Sequence, residues 1–186
     1  MTKTKGFTLI ELLIVIGILA ILATTVVLVL NPAQILQESR DTQRLSDLSA
    51  IQSAIGLVVA TASDPSATFE NAGPFCTFAT TTQFGPLANT PCTVPAANVI
   101  RDIDGDGWVG IDFNAVSGGT SPLSSLPVDP TNNANFLYVY RHTVGTTLYE
   151  INGRLESVKQ ASKMADDGGS NANFYEIGTA PGLTIL

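Results

Sequence analysis

Acidic side chains at alternate positions form the most specific chemical pattern in the outer part of this 186-residue chain. Asp102-Ile103-Asp104-Gly105-Asp106-Gly107 places carboxylates at positions one, three and five and glycine at six. That is the first half of a calcium loop, in which hard oxygen ligands converge around a sharp turn. The second half departs from the pattern: position twelve is Phe113, and Asp112 comes one place early. Two readings stand, a calcium site made of Asp102, Asp104, Asp106 and Asp112, and a solvated Asx-rich turn. Ingredients for other chemistry are scarce. One histidine and two cysteines leave little for a Ser-His-Asp triad, a zinc set or a haem site, and His142 reads as structural or solvent-facing. A glycosidase-type pair among Asp129, Glu150 and Glu156 has no support from spacing, so these read as solvated or turn-forming acids. No Walker-type phosphate loop is present. The expectation is a protein that is not an enzyme.

The composition points to lipid. The chain is 45% hydrophobic and only 13% charged, with a mean hydropathy of +0.26. Its net charge of −7 argues against direct nucleic-acid binding, which rewards an excess of Lys and Arg. The apolar excess is concentrated between Phe7 and Leu30, where Glu11 is the one charge. As a helix this stretch would reach about 36 Å, enough to cross a hydrocarbon core of about 30 Å with some tilt. Lys3 and Lys5 in front of it hold the short N-terminal stub in the cytoplasm and send the rest of the chain outward. The run continues past Ala20 and Ala23 without a polar cleavage region, so a retained single-pass anchor in the cytoplasmic (inner) membrane is expected. An unpaired carboxylate at helix depth costs about 2.5 to 3.5 kcal/mol on insertion scales, so Glu11 calls for a partner. Gly17 and Ala20 permit close helix approach, although small residues are common in such helices.

Asn31-Pro32 interrupts the run, and a helical pattern resumes from Ala33 to about Thr61. Leu45, Leu48, Ile51, Ile55 and Val58 or Val59 recur three and four apart, the stripe of an amphipathic helix that Ser63-Asp64-Pro65 ends. Arg40, Asp41, Arg44 and Asp47 occupy other positions, and Arg40, Asp41 and Arg44 read as a solvated face or a set of intersubunit ion pairs. Beyond Thr61 the chain is rich in Gly, Pro, Thr, Asn and Ser. Residues 135–143 and 146–151 flank Val144-Gly145 as a hairpin, and 107–113 and 173–178 add two further strands to an antiparallel sheet that covers the helix stripe. A short helical turn is expected between Leu155 and Met164. Cys76 and Cys92, placed outside the membrane, read as a disulfide, which for such a loop contributes about 3 kcal/mol.

One junction is far more specific than the rest. Gly6-Phe7-Thr8-Leu9-Ile10-Glu11-Leu12-Leu13-Ile14-Val15 resembles the leader junction of type IV pilins and of the pseudopilins of type II secretion. The resemblance implies cleavage between Gly6 and Phe7 by a prepilin peptidase, methylation of the new Phe7 amine, and polymerisation through the N-terminal helix. It also implies a partner for Glu11, the N-terminal amine of a neighbouring subunit; in a low-dielectric bundle such pairing offsets two otherwise costly charges. Losing Lys3 and Lys5 with the leader takes the net charge from −7 to −9. Ser124-Ser125-Leu126-Pro127-Val128-Asp129-Pro130 resembles a turn of major pseudopilin heads, whose calcium lies in a different loop from the one described above.

The implied fold is α+β and pilin-like, a long N-terminal helix with a transmembrane half and an amphipathic half, packed on a small antiparallel β-sheet head. Its divisions are a leader at 1–6, a membrane and assembly helix at 7–30, an amphipathic continuation at 31–61 and a head at 62–186. The implied partners are further copies of the chain and minor pilins in a filament, the peptidase, the assembly platform with its ATPase, and the membrane. The filament would be an extracellular pilus or a periplasmic pseudopilus. A membrane-tethered binding domain that never polymerises is the remaining alternative.

Overall fold

The structure, a computed structural model, describes residues 6–78 and 92–180. Lys3 and Lys5 of the leader and most of the segment between the two cysteines lie outside the described residues. The chain divides into two units, Met1–Gln37 and Glu38–Leu186.

In the first unit, α1 runs over Leu9–Leu30. Thr8 caps its start, and Asn31 ends it in the left-handed conformation at φ 39°. Asparagine tolerates that region better than most side chains. Pro32 then opens α2, Pro32–Thr61, at the one helical position where its missing N–H costs nothing. The interruption expected at Asn31-Pro32 is therefore a full break between helices. Thr24 and Thr25 turn their hydroxyls back onto the carbonyls of Ala20 and Leu22, so neither leaves a polar group unsatisfied on an apolar surface.

In the second unit, the helix stripe packs on a four-stranded antiparallel sheet of order β1-β2-β3-β4, with β1 at Phe75–Cys76, β2 at Tyr138–His142, β3 at Tyr149–Gly153 and β4 at Tyr175–Gly178. The hairpin is where the alternating pattern put it. Tyr140 faces Ile151 across β2 and β3, and Gly145 takes φ 73° in the connecting turn. One face of the sheet presents Tyr138, Tyr140, Tyr149, Ile151 and Ile177 to Leu48, Ile51, Ile55 and Val58 of α2. Gly153 makes this approach close: a Cβ there would lie 3.2 Å from both Leu48 Cδ1 and Tyr138 Cδ1. The other face packs Val139 with Cys76, Leu137 and Phe174 in a smaller apolar cluster.

Two expectations need correction. Residues 107–113 form no strand: Ile111 bridges Phe69, Asp112 bridges Asp104, and Phe113–Ala115 is a 3-10 turn. Their apolar side chains, Trp108, Val109, Ile111 and Phe113, are all fully buried, so the apolar pattern reported burial without strand pairing. The second correction concerns the helix stripe. Buried positions on α2 run Asp41, Arg44, Leu48, Ile51, Ala54, Ile55 and Val58, so the stripe extends toward the N-terminus through two charged residues. The helical turn expected after Leu155 is present as a 3-10 helix at Ala161–Met164.

Trp108, the single tryptophan, is fully buried and donates its indole N–H to the Pro127 carbonyl at 2.8 Å, so its emission reports on the folded second unit. Ile51→Ala, which empties space at the centre of the α2–sheet contact, is expected to destabilise this unit by about 2–5 kcal/mol. Gln52→Ala on the exposed face is expected to change stability by less than about 0.5 kcal/mol. Denaturant titration of the full chain in detergent, followed by Trp108 emission, measures both.

Candidate functional site

The N-terminal element is built by one capping interaction. Thr8 accepts the Glu11 amide on its hydroxyl at 3.3 Å, while the Glu11 carboxylate accepts the Thr8 amide at 2.8 Å and the Thr8 hydroxyl at 2.7 Å. This reciprocal box satisfies donors that the first helical turn would otherwise leave open. It also settles what holds Glu11 within the chain: the carboxylate is folded back over the helix start, one residue from Phe7. Gly6 and Phe7 are exposed, Phe7 at 86%. Among the described residues, chain neighbours aside, no atom lies within 4 Å of where a Cβ on Gly6 would stand. The window Leu9–Val27 has the length and apolar composition to cross a membrane, and none of it is buried within the chain. A helix that is apolar all round and covered by nothing of its own requires lipid or other helices around it.

The second unit is organised around Arg44. Its guanidinium, fully buried, donates Nε to Asp129 Oδ2 at 2.6 Å, Nη2 to Asp129 Oδ1 at 3.0 Å and Nη1 to Asp41 Oδ1 at 2.9 Å. Glu156 Oε1 lies 2.7 Å from Nη1, and Phe136 covers the guanidinium at 4.9 Å from its ring centroid. Arg40 reaches the same Glu156 through Nε at 2.9 Å. Asp41 in turn accepts the backbone amides of Glu156 and Ser157. Asp129 accepts those of Thr131 and Asn132 and so closes the turn after Leu126-Pro127-Val128. Two arginines and three carboxylates thus tie α2 to the loop before β2 and to the segment after β3.

The electrostatics follow from these contacts. Burial works against the Arg44 charge, but the hydrogen bonds and field of Asp129, joined by Glu156 and Asp41, outweigh it and raise the guanidinium above its ordinary range. The hydrogen bond from Arg40, opposed by burial and aided by Arg44, lowers the Glu156 carboxyl from 4.5 to about 2. The reading of Arg40, Asp41 and Arg44 as a solvated or intersubunit face is therefore overturned, since their partners lie within the chain. Asp129 is turn-forming, as expected, but it is buried, and Glu150 and Glu156 are not solvated acids either. Asp47, half-buried, accepts the Tyr138 hydroxyl at 3.0 Å, and burial raises its carboxyl.

Cys76 and Cys92 are joined, with Cα atoms 5.8 Å apart. The bond holds residues 92–93 beside β1, where Cys76 N–H donates to the Thr93 carbonyl and Thr93 N–H to that of Pro74. His142 is structural and buried, with Nδ1 3.1 Å from the Tyr140 hydroxyl, and burial lowers its pKa. The Asp102–Asp112 segment is a turn in which Asp104 accepts the Asp106 amide and Asp112 caps the following 3-10 helix through Asn114. Among the described residues, no three His, Cys, Asp or Glu side chains gather closely enough to hold a metal ion.

Comparison with known proteins bears on the N-terminal element. Residues 1–27 match the family model described as the prokaryotic N-terminal methylation motif. The chain carries the type IV pilin and pseudopilin signature. Proteins with this motif are structural subunits, and the motif implies processing by prepilin peptidase and assembly into a filament. The long N-terminal helices and small antiparallel sheet are the α+β arrangement consistent with a pilin-like fold, and the apolar helix fits a membrane-anchored protein. No curated protein and no solved structure matches the chain.

Because Glu156 is depressed in the folded state, the stability it contributes is complete above its unfolded value of about 4.5 and is lost as the pH falls toward 2. Glu156→Gln is expected to lower the melting temperature at pH 7. The deficit relative to wild type should shrink through this window and vanish near pH 2. Thermal melts from pH 7 to pH 2 measure it.

Proposed function

We propose that this chain is a structural subunit of a type IV pilus-like filament. Prepilin peptidase cleaves between Gly6 and Phe7 and methylates the Phe7 amine; the subunit waits in the cytoplasmic membrane and polymerises through its N-terminal helix, drawn out by the assembly platform and its ATPase. The observation that carries this reading is the coincidence of the exposed Gly6–Phe7 junction, the Glu11 carboxylate at the helix start and an apolar helix whose membrane-length window, Leu9–Val27, is unburied among the described residues. Cleavage leaves the new amine one residue before Thr8. In a bundle of such helices, Glu11 neutralises the amine of a neighbouring copy and so selects one axial register among many otherwise equivalent apolar contacts. The side-chain inventory supplies no triad and no phosphate loop, which supports a structural subunit over an enzyme.

The second reading is a type II secretion pseudopilin that forms a periplasmic piston from the same parts. The Leu126-Pro127-Val128-Asp129-Pro130 turn favours it. In this chain that turn is integral to the core, since Leu126 is buried and Asp129 holds Arg44. Neither reading requires calcium, and the Asp102–Asp106 segment is read as an Asx turn, with Asp104 accepting the Asp106 amide.

Mass spectrometry of the mature protein is expected to show a chain starting at N-methylated Phe7, and a chain starting at Met1 would overturn the proposal. Glu11→Ala is expected to leave processing intact while abolishing filaments by electron microscopy. For calcium, melting curves with and without chelator are expected to superimpose; a rise in melting temperature with added calcium would restore the Asp102–Asp112 loop as a ligand site.

A further inference from the structure

Beyond β3 the chain turns back on itself, and three successive backbone amides are each taken by a side chain. Leu155 N–H donates to the Met164 sulfur at 3.4 Å, Glu156 N–H to Asp41 Oδ1 at 2.9 Å and Ser157 N–H to Asp41 Oδ2 at 2.7 Å. The Met164 contact closes a span of nine positions. Within that span Gln160 N–H donates to the Ser157 carbonyl, and the 3-10 helix Ala161–Met164 follows. Leu155 is buried, whereas Met164 is half-buried and flanked by exposed Lys163 and Ala165. One end of this clasp is in the interior and the other is in reach of solvent.

The acceptors differ in what can be done to them. The Asp41 carboxylate is buried and held by Arg44. A thioether sulfur is a weak acceptor, and of the two acceptor groups it is the one that an oxidant converts to something else. The two cysteines are already joined, and Trp108 is fully buried. The sequence holds two methionines, Met1 and Met164. On the reading proposed above Met1 leaves with the leader, so Met164 is the single methionine of the mature subunit.

We propose that Met164 is an oxidation site that releases this clasp, with hydrogen peroxide as the class of oxidant. The sulfur attacks one peroxide oxygen and the O–O bond breaks; the sulfur gives up two electrons and becomes a sulfoxide, and water leaves with both protons. Of the two sulfur lone pairs, one is engaged by the Leu155 amide, so oxygen adds at the other and one sulfoxide epimer forms. The oxidised sulfur carries a partial positive charge and no longer attracts an N–H, which leaves the Leu155 amide without its acceptor. An oxygen on the engaged side would stand closer to the amide nitrogen than a hydrogen bond permits, so neither addition preserves the contact. Leu155 immediately precedes the two amides that Asp41 accepts, so release begins at the start of the segment that carries Glu156 to Arg44. Reduction of the sulfoxide to the thioether restores the clasp.

Hydrogen peroxide treatment of the full chain in detergent, followed by peptide mapping and hydrogen–deuterium exchange, tests this. Oxygen is expected at Met164, and protection of the Leu155 amide is expected to fall by roughly tenfold or more, with residues 48–58 of α2 unchanged. A methionine sulfoxide reductase of one stereospecificity is expected to restore thioether and protection, and that of the other to do nothing. In Met164→Leu, protection of Leu155 is expected to start at the oxidised level and not to respond to peroxide. Three results would overturn the proposal: an unoxidised Met164 while free methionine in the same sample is consumed, a sulfoxide that leaves protection unchanged, or equal amounts of both epimers. Should the leucine variant not fold, the reductase arm decides on the wild type alone. Peptide mapping reads Met164 whether the chain starts at Phe7 or at Met1, so failure here is distinct from failure of the filament reading.

Discussion

Burying a guanidinium is costly unless every donor finds an acceptor and the charge is matched, and the second unit is arranged so that this holds for Arg44. The carboxylates that satisfy it come from three places far apart in the chain: one helical turn away at Asp41, in the turn at Asp129, and after β3 at Glu156. Each also caps backbone amides or holds a second arginine, so the charges are part of the chain's path as well as its electrostatics. Removing any one partner would leave a buried charge uncompensated, the costly case for ion pairs in an interior. An apolar replacement of the whole set would hold α2 as firmly. What the ionic set adds is a directional demand that the turn at Asp129 and the segment at Glu156 meet the helix at one register.

The first unit solves a different problem with the opposite chemistry. Among the described residues the Leu9–Val27 window of α1 is unburied, and its stability outside water rests on satisfied backbone groups and a surface that matches lipid or other copies of itself. Threonine hydroxyls fold back onto carbonyls, and the single carboxylate is engaged by its own helix start. A chain with both units carries one surface that demands association and another that is complete in itself. That is the division a polymerising subunit needs: apolar helices that bundle, and a head whose core does not open when they do.

Legibility in the sequence tracked how local the physics was. The hairpin at Val144-Gly145, the stripe from Leu48 to Val58 and the helix break at Asn31-Pro32 rest on period and turn chemistry within a few residues, and each is present. The disulfide followed from cysteine count and compartment. Residues 107–113 misled because an apolar run reports burial, and whether a buried segment pairs as a strand depends on what lies beside it. Asp41 and Arg44 misled for a related reason. Asp41, Arg44 and Leu48 are spaced three and four apart, which places them on one buried face, but charged residues are ordinarily exposed, and the Asp129 carboxylate that Arg44 reaches and the Glu156 amide that Asp41 accepts lie more than 80 positions away. The Asp102–Asp106 pattern was legible as residue types, and the structure shows Asp104 accepting the Asp106 amide within a turn.

The sequence alone determined the N-terminal element: an apolar run long enough to span, headed by Gly6-Phe7 and containing one carboxylate, is legible from short-range chemistry and hydropathy as the methylation motif that residues 1–27 match. Only the tertiary structure decided which charges are buried and with whom. That choice depends on the turn and the segment that bring Asp129 and Glu156 to Arg44, and the free energy of a buried charge is set by its neighbours in space, not by its neighbours along the chain.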